Sequence, residues 1–372
     1  MDRGSNPSVV KPSEYPLVAA STLFLEEKLG NWVFDPNHNP LYDHTCPFHR
    51  NSWNCIRNQR QNLSLINSWK WVPRGCDLPR IDPFRVADEG ARKWKKKGAW
   101  RGAYFPKFNV TVAYHRAVLL SKYQWQPKQS EAGTQDGSEG IHRVDVDVPA
   151  DEWAKIAGFY DVLLFNTGHW WNHDKFPKEK PLVFYKAGQP IVPPLGILDG
   201  LNVVLANMIT YIEKEFPKNT LKFWRLQSPR HFYGGDWNQN GSCLFNKPLE
   251  ENETFSICSL PRALSSIGLK NKILIHEQLD LWFDPRNNGV NKEAREMNFV
   301  IEKALQGTDI ELVDFTHLSE FRADAHPAIW LGRKDAVAIW GQDCMHWCLP
   351  GVPDTWVDIL SQLILDGLGS TG

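Results

Sequence analysis

Phe159-Tyr-Asp-Val-Leu-Leu-Phe165, running into Asn166-Thr-Gly168, is the stretch that decides the fold. A short apolar run bounded by turn residues reads as a buried strand feeding a loop. Downstream, strands and helices alternate. Leu201 to Phe216 carries apolar residues at helical spacing and is stopped by Pro217. Leu221 to Leu226 reads as a strand, Asn291 to Gln306 as a helix, Ile310 to Phe315 as a strand and Pro353 to Leu368 as a helix. Asn291 suits an N-cap and Pro353 a helix start. Such alternation implies an α/β architecture, a parallel sheet with helices on both faces. Functional groups in these sheets gather beyond the carboxyl ends of the strands. That rule points to Asn166 to Trp171, to Gln227 to Cys243, and to Gly341 to Pro350.

Upstream the text changes character. Residues 1–29 form a polar, Pro-punctuated lead-in. From Gly30 to Arg85 the chain is dense in Trp, Cys, Asn and Pro with little helical periodicity, as in a small stapled module. Lys93 to Lys97 reads as a solvated face, with a ligand site as the alternative, and Gln126 to Gly140 as a surface loop. The 372 residues carry 42 Lys+Arg against 43 Asp+Glu, which excludes a binder built on phosphate neutralisation. Seventeen Trp are costly unless they fill a core or line a ligand surface, and a sugar groove is one such surface. No window approaches the roughly 20 apolar residues of a membrane helix. Leu17 to Leu25 is a poor signal peptide, lacking a basic flank. Four glycosylation sequons, at Asn62, Asn109, Asn240 and Asn252, with scattered Cys, favour a secretory-pathway protein whose targeting segment is not in this chain.

The densest chemistry lies in Gly341-Gln-Asp-Cys-Met-His-Trp-Cys-Leu-Pro350. Asp343 and His346 are spaced so that the carboxylate reaches the imidazole and fixes its tautomer, as the orienting pair of a hydrolase-like triad requires. A structural Asp–His contact is the bland alternative. Cys344, His346 and Cys348 could also ligate zinc, but the spacing is poor for a tetrahedral site, and disulfides at both Cys are the plainer reading. His169-Trp-Trp-Asn-His173 has the histidine spacing of a metal helix but neither its Glu nor a helical context. Asn166 can donate its amide to an oxyanion or brace a turn. Ser228-Pro-Arg-His231 and Gly234-Gly-Asp-Trp-Asn238 could line a sugar cleft or be an irregular loop. His169, Arg225, His231 and Trp237 complete the candidate oxyanion or substrate contacts. A nucleophile is missing: the chain contains neither Gly-x-Ser-x-Gly nor Gly-Asp-Ser.

Gly30-Asn-Trp-Val-Phe-Asp35, Leu41-Tyr42, Cys46-Pro-Phe48, Trp69-Lys-Trp71, Gly75-Cys-Asp-Leu-Pro-Arg80, Asn166-Thr-Gly-His-Trp-Trp171, Gly234-Gly-Asp-Trp237, Gly241-Ser-Cys243 and Asp343-Cys-Met-His-Trp-Cys-Leu-Pro-Gly-Val-Pro-Asp354 resemble the plant trichome birefringence-like family. The resemblance runs from Gly30 to the C-terminus. It implies a small N-terminal module (30–85) and a PC-esterase domain (86–372) with a three-layer α/β/α, SGNH-hydrolase-like parallel sheet. It further implies O-acetylation of a cell-wall polysaccharide such as xylan, mannan or pectin, by a type II Golgi membrane protein. No bound cofactor, metal or nucleic acid is implied, only an acetyl donor as co-substrate. In the family a Ser in Gly-Asp-Ser takes the acetyl group; Asp343 and His346 match the orienting acid and general base that assist it. The family pattern also suggests disulfides Cys55–Cys348 and Cys243–Cys344.

Two departures stand out. Where the family has the nucleophile strand and its Gly-Asp-Ser turn, Arg85 here runs directly into Val86-Ala-Asp-Glu. Conversely, residues 253–277 form an insertion that resembles no part of the family. One exon skipped, one intron translated and a membrane anchor absent from this chain would account for all of it. The resulting expectation is an acetyltransferase-family chain without the nucleophile, inactive in acetyl transfer, with a non-catalytic polysaccharide-binding protein as the alternative. Cys46 and Cys76 would then lack their family partners, and Cys258 arrives with the insertion.

Overall fold

The computed structural model describes residues 30–46, 53–74, 77–80, 91–95, 100–129, 135–235, 237, 241–243, 245–249, 290–328 and 342–369. The lead-in, Cys76, Asn240, Asn252, Cys258 and the insertion at 253–277 lie outside these.

The N-terminal module pairs β1 (Gly30–Phe34) antiparallel with β2 (Trp69–Pro73), with a short helix, α1 (Leu63–Asn67), just before β2. Trp32 meets Trp71 edge-on with ring centroids 5.6 Å apart. The Trp32 indole N–H donates to the Leu318 carbonyl at 2.7 Å, and the Arg322 guanidinium covers its face at 4.3 Å. The module is therefore a lid docked on the larger domain by aromatic packing.

Three further strands, β3 (Arg92–Lys95), β4 (Trp100–Phe105) and β5 (Val110–His115), form an antiparallel meander. Next come β6 (Ser121–Gln129) and β7 (Gln135–Pro149), then β8 (Val162–Phe165), β9 (Leu182–Lys186) and β10 (Gln189–Pro190). Lys93 therefore lies in a strand, and the loop expected from Gln126 to Gly140 is largely the facing arms of β6 and β7. Residues 126–129 and 135–140 are almost continuously polar, so these arms offer no alternation to a hydropathy reading and are strands by virtue of their pairing. β7 also runs parallel to β9, so β6, β7, β9 and β10 make a mixed sheet that the sequence reading did not anticipate.

The α/β expectation holds for the remainder. Helix α2 (Ile197–Glu215) leads to β11 (Leu221–Arg225), α3 (Val290–Leu305), β12 (Glu311–Val313), α4 (Thr316–Glu320) and α5 (Val352–Gly369). Helix α3 begins at Val290, one residue before Asn291. Strands β12, β11 and β8 form a parallel sheet in that order. Consecutive β11 residues bury on opposite faces, as the two-residue period of a strand demands. Trp224 joins Phe165, Leu205, Met208 and Ile301 on one face, whereas Phe223 joins Val313, Trp347, Ile359 and Leu363 on the other. Helices α2 and α3 cover the first face and α5 the second, giving the three layers. Gly200 lets α2 approach closely: a Cβ there would collide with the Phe184 ring of β9. No helix among the described residues is long and apolar enough to cross a membrane.

Candidate functional site

The carboxyl ends of β8, β11 and β12 open toward one loop, residues 342–351, tied down from several directions. Cys348 is disulfide-bonded to Cys55 of the N-terminal module, and Cys344 to Cys243. Both pairings suggested by the family pattern are present. They also overturn the zinc alternative, because oxidised Cys344 and Cys348 have no thiolate to offer a metal. Among the described residues no three His, Cys, Asp or Glu side chains gather as metal ligands. His169 to His173 forms no named helix either.

Within the loop, Asp343 is buried and both its carboxylate oxygens lie 3.1 Å from His346 Nδ1. The backbone N–H groups of Met345 and His346 also donate to Asp343 Oδ1, at 3.2 and 3.0 Å. Burial raises the Asp343 carboxyl, but the hydrogen bond and charge of His346 and these two N–H groups outweigh it and hold it below the usual carboxylate value. An ionised Asp343 keeps the imidazole proton on Nδ1 and leaves Nε2 as the acceptor, the form a general base needs. The His346 side chain is 30% exposed, and its Nε2 meets no hydrogen-bond partner among the described residues. Ser228, the nearest serine in sequence to the sheet end, accepts a hydrogen bond from Trp347 Nε1 at 3.3 Å and makes none with His346.

His169 lies close enough for its charge to be coupled to that of His346. Burial first, then the charges of Arg225, Arg230 and His346, push it down to about 3, so its ring is neutral. Gln227 Nε2 donates to His169 Nδ1 at 3.0 Å, which leaves the ring proton on Nε2 as a donor. Gln227 is itself fixed, since its backbone N–H donates to Asn298 Oδ1 and its carbonyl accepts from Thr316 Oγ1. Gly168, at φ +145°, makes room for this: a Cβ there would strike Gln227 Oε1.

The other candidates separate. Asn166 is exposed at the end of β8 and makes no hydrogen bond among the described residues, so its amide is available to a ligand. Arg225, at the end of β11, lies over Trp356 at 5.7 Å. His231 is fully buried below the loop. Trp237 lies at the rim, where its N–H donates to Asp174 Oδ2 at 3.3 Å and Lys175 sits over its ring at 5.1 Å. The same Lys175 covers the exposed Trp170, 5.5 Å away, and Arg116 approaches Trp170 at 5.5 Å as well. Asn62 and Asn109 are exposed in turns at positive φ, whereas the other two sequons fall outside the described residues.

Two neighbours of the pair escape a sequence reading. Trp53 stacks on the His346 ring, with centroids 4.5 Å apart and planes 20° from parallel. His326 donates from Nδ1 to the His346 carbonyl at 2.6 Å. The suggested Cys55–Cys348 bond was the one signal that could have brought Trp53 beside His346; nothing in the sequence signals His326.

Residues 83–363 match the PC-esterase family, described as GDSL/SGNH-like acyl-esterases found in Pmr5 and Cas1p, and residues 28–77 match the PMR5 N-terminal domain. The chain is 62% identical over 370 residues to protein trichome birefringence-like 12 of Arabidopsis thaliana, covering 91% of this chain and 85% of that one. It is 37% identical over 367 residues to trichome birefringence-like 13 of the same plant, covering 89% and 81%. Xylan O-acetyltransferase 12 of Oryza sativa subsp. japonica is 25% identical over 371 residues, covering 89% and 68%. With most of its length inside one family profile and an Asp–His pair at the end of a parallel sheet, the chain belongs to the trichome birefringence-like proteins of the PC-esterase family.

Proposed function

We propose that this chain is a polysaccharide O-acetyltransferase by descent that holds the acid–base half of the site without the nucleophile. The observation that carries the reading is His346, oriented by Asp343, with Nε2 open and no serine partner among the described residues. In the chemistry the family implies, a serine oxygen attacks the donor's acetyl carbonyl while His346 takes its proton, and the donor's leaving group then departs carrying that proton from His346. A sugar hydroxyl then attacks the acetyl-serine and gives its proton to His346, which returns it to the departing serine oxygen. To His169 Nε2–H and the Asn166 amide we assign donation to the oxyanion in both steps. Without Gly-Asp-Ser there is no acetyl-enzyme, and the pair has nothing to activate. The rice relative's name favours xylan as the family-level acceptor. A lumenal Golgi location and glycans at exposed Asn62 and Asn109 belong to the same reading. Incubating the purified chain with an acetyl donor and xylan, mannan or pectin tests it: no transfer is expected.

The rim supports a second reading, a polysaccharide-binding protein. Trp170, Trp237, Lys175 and Asp174 combine aromatic faces with donors and acceptors, the groups that hold sugar rings. Binding to xylan that weakens in Trp237→Ala, without any acetyl transfer, is its signature.

A further inference from the structure

Two buried histidines lie beneath the loop that carries Asp343 and His346. His231 comes from the segment after β11, and His326 follows the 3-10 turn Ala323–Ala325; neither is accessible to solvent. Three contacts run through them. His326 Nδ1 is 2.6 Å from the His346 carbonyl oxygen, His326 Nε2 is 2.6 Å from His231 Nδ1, and His231 Nε2 is 3.0 Å from the Glu320 carbonyl oxygen.

Proton counting makes this arrangement informative. A carbonyl oxygen only accepts, so each outer contact requires an N–H on the ring. That places one proton on His326 Nδ1 and one on His231 Nε2. A neutral imidazole carries one ring proton, so two neutral rings would then face each other with bare lone pairs. Three contacts need three protons, and two neutral rings bring two. We propose that His231 and His326 share one additional proton, and that this buried, singly charged pair positions the Asp343–His346 loop.

The charged surroundings fit one charge and resist two. Asp343, on the supported loop, attracts a proton on His326, whereas His346 opposes it. From α4, the Glu320 carboxylate accepts from Arg295 Nε of α3 at 2.9 Å, and Arg295 opposes charge on His231. Arg60 Nε, from the N-terminal module, donates to the His326 carbonyl at 3.0 Å. The adjacent Arg322 and Asp324 neutralise each other at 2.9 Å. Burial pushes both rings down, His231 to about 3 and His326 well below its ordinary value, and so opposes the added proton; the 2.6 Å contact between the two ring nitrogens is what calls for it. One proton divided between two nitrogens satisfies the contacts at the smallest desolvation cost.

The pair is well placed to act as a support. The His231 backbone N–H donates to the Cys344 carbonyl at 3.0 Å, and the His326 ring holds the carbonyl of His346 itself. Trp347 packs against both rings, 4.2 Å from His326 and 5.8 Å from His231. The functional meaning rests on the Asp–His reading above; the protonation state does not, and the experiment reads only the latter.

Nitrogen NMR of the full chain, labelled with 15N-histidine, at about pH 8 decides it, because an ordinary imidazole with a value of about 6.5 is neutral there. Each neutral histidine among the twelve shows one unprotonated nitrogen. The expected result is that two histidines contribute none, showing instead a coupled pair of partly protonated nitrogens and a strongly deshielded shared proton. His231→Gln and His326→Gln should each abolish that pair of signals together. If either variant fails to fold, the unmodified spectrum still decides by its count. A full set of unprotonated nitrogens, one for every histidine, would overturn the proposal.

Discussion

The indole of Trp53 lies almost flat on the imidazole of His346, 4.5 Å away, so the N-terminal module supplies one wall of the site in the large domain. The same strip of backbone is bonded across: Leu349 N–H donates to the Trp53 carbonyl at 2.9 Å, and Cys55 N–H to the Leu349 carbonyl at 3.3 Å. The module thus completes the environment of the candidate base.

Removing that wall should expose His346. Trp53→Ala is expected to cost about 2 kcal/mol, less than a fully buried Trp, because the ring is only partly buried. It should also speed carbethoxylation of His346, followed by peptide mass spectrometry, while Trp53→Phe keeps most of the protection. Equal reactivity in all three proteins would mean that the stack does not shield the ring.

The Cys55–Cys348 bond closes 293 residues and Cys243–Cys344 closes 101. Chain entropy gives each about 2–5 kcal/mol and ranks the longer closure higher by only about 1 kcal/mol. Cys55→Ser should therefore lower the urea midpoint, and in addition make the module, but not the α/β domain, more sensitive to protease. Cys243→Ser should lower the midpoint while leaving the module protected. Identical cleavage patterns for the two variants would contradict this division.

Acid should destabilise the fold through histidines held neutral. Burial, with Arg80 adding, pushes His38 down to about 4; burial, with Arg225, Arg230 and His346 adding, pushes His169 to about 3. Below about 6.5 the unfolded chain binds protons that these folded rings refuse, so stability rises with pH between about 4 and 6.5. The denaturation midpoint should fall as the pH is lowered through that window, with a shallower slope in His169→Gln. An unchanged slope in the variant would show that His169 titrates normally.

How much was legible follows from the physics of each element. β8, β11, α2, α3 and α5 were readable because a buried strand and an amphipathic helix write their environment into their periodicity. The strands from Arg92 to Pro149 were not. Val110, Val112 and Tyr114 are exposed on the meander, and the facing arms of β6 and β7 near residues 126–140 are polar, so there pairing makes the strands, although Val144 and Val146 farther along β7 are buried in the core. Asp343 and His346 were visible because both partners sit in one short segment. Trp53 and His326 were not, since each reaches the loop through tertiary contacts from an aperiodic stretch. His231 was visible as a polar loop residue, but its burial was not.

Two junctions of the transcript test the exon reading. Sequencing cDNA across Arg85–Val86 should recover a segment encoding a strand and a Gly-Asp-Ser turn, and across 253–277 should show that stretch removed. A transcript identical to this sequence at both junctions would sink the exon account while leaving the polypeptide's chemistry as described.

That chemistry is tested most directly by an acetyl-transfer assay on the purified full chain beside His346→Ala, reading both acetylated glycan and any acetyl adduct on the protein. The prediction is no transfer and no adduct from either protein, because His346 has an orienting carboxylate and, among the described residues, no serine partner to activate. Acetyl transfer by the unmodified chain that disappears in His346→Ala would contradict it.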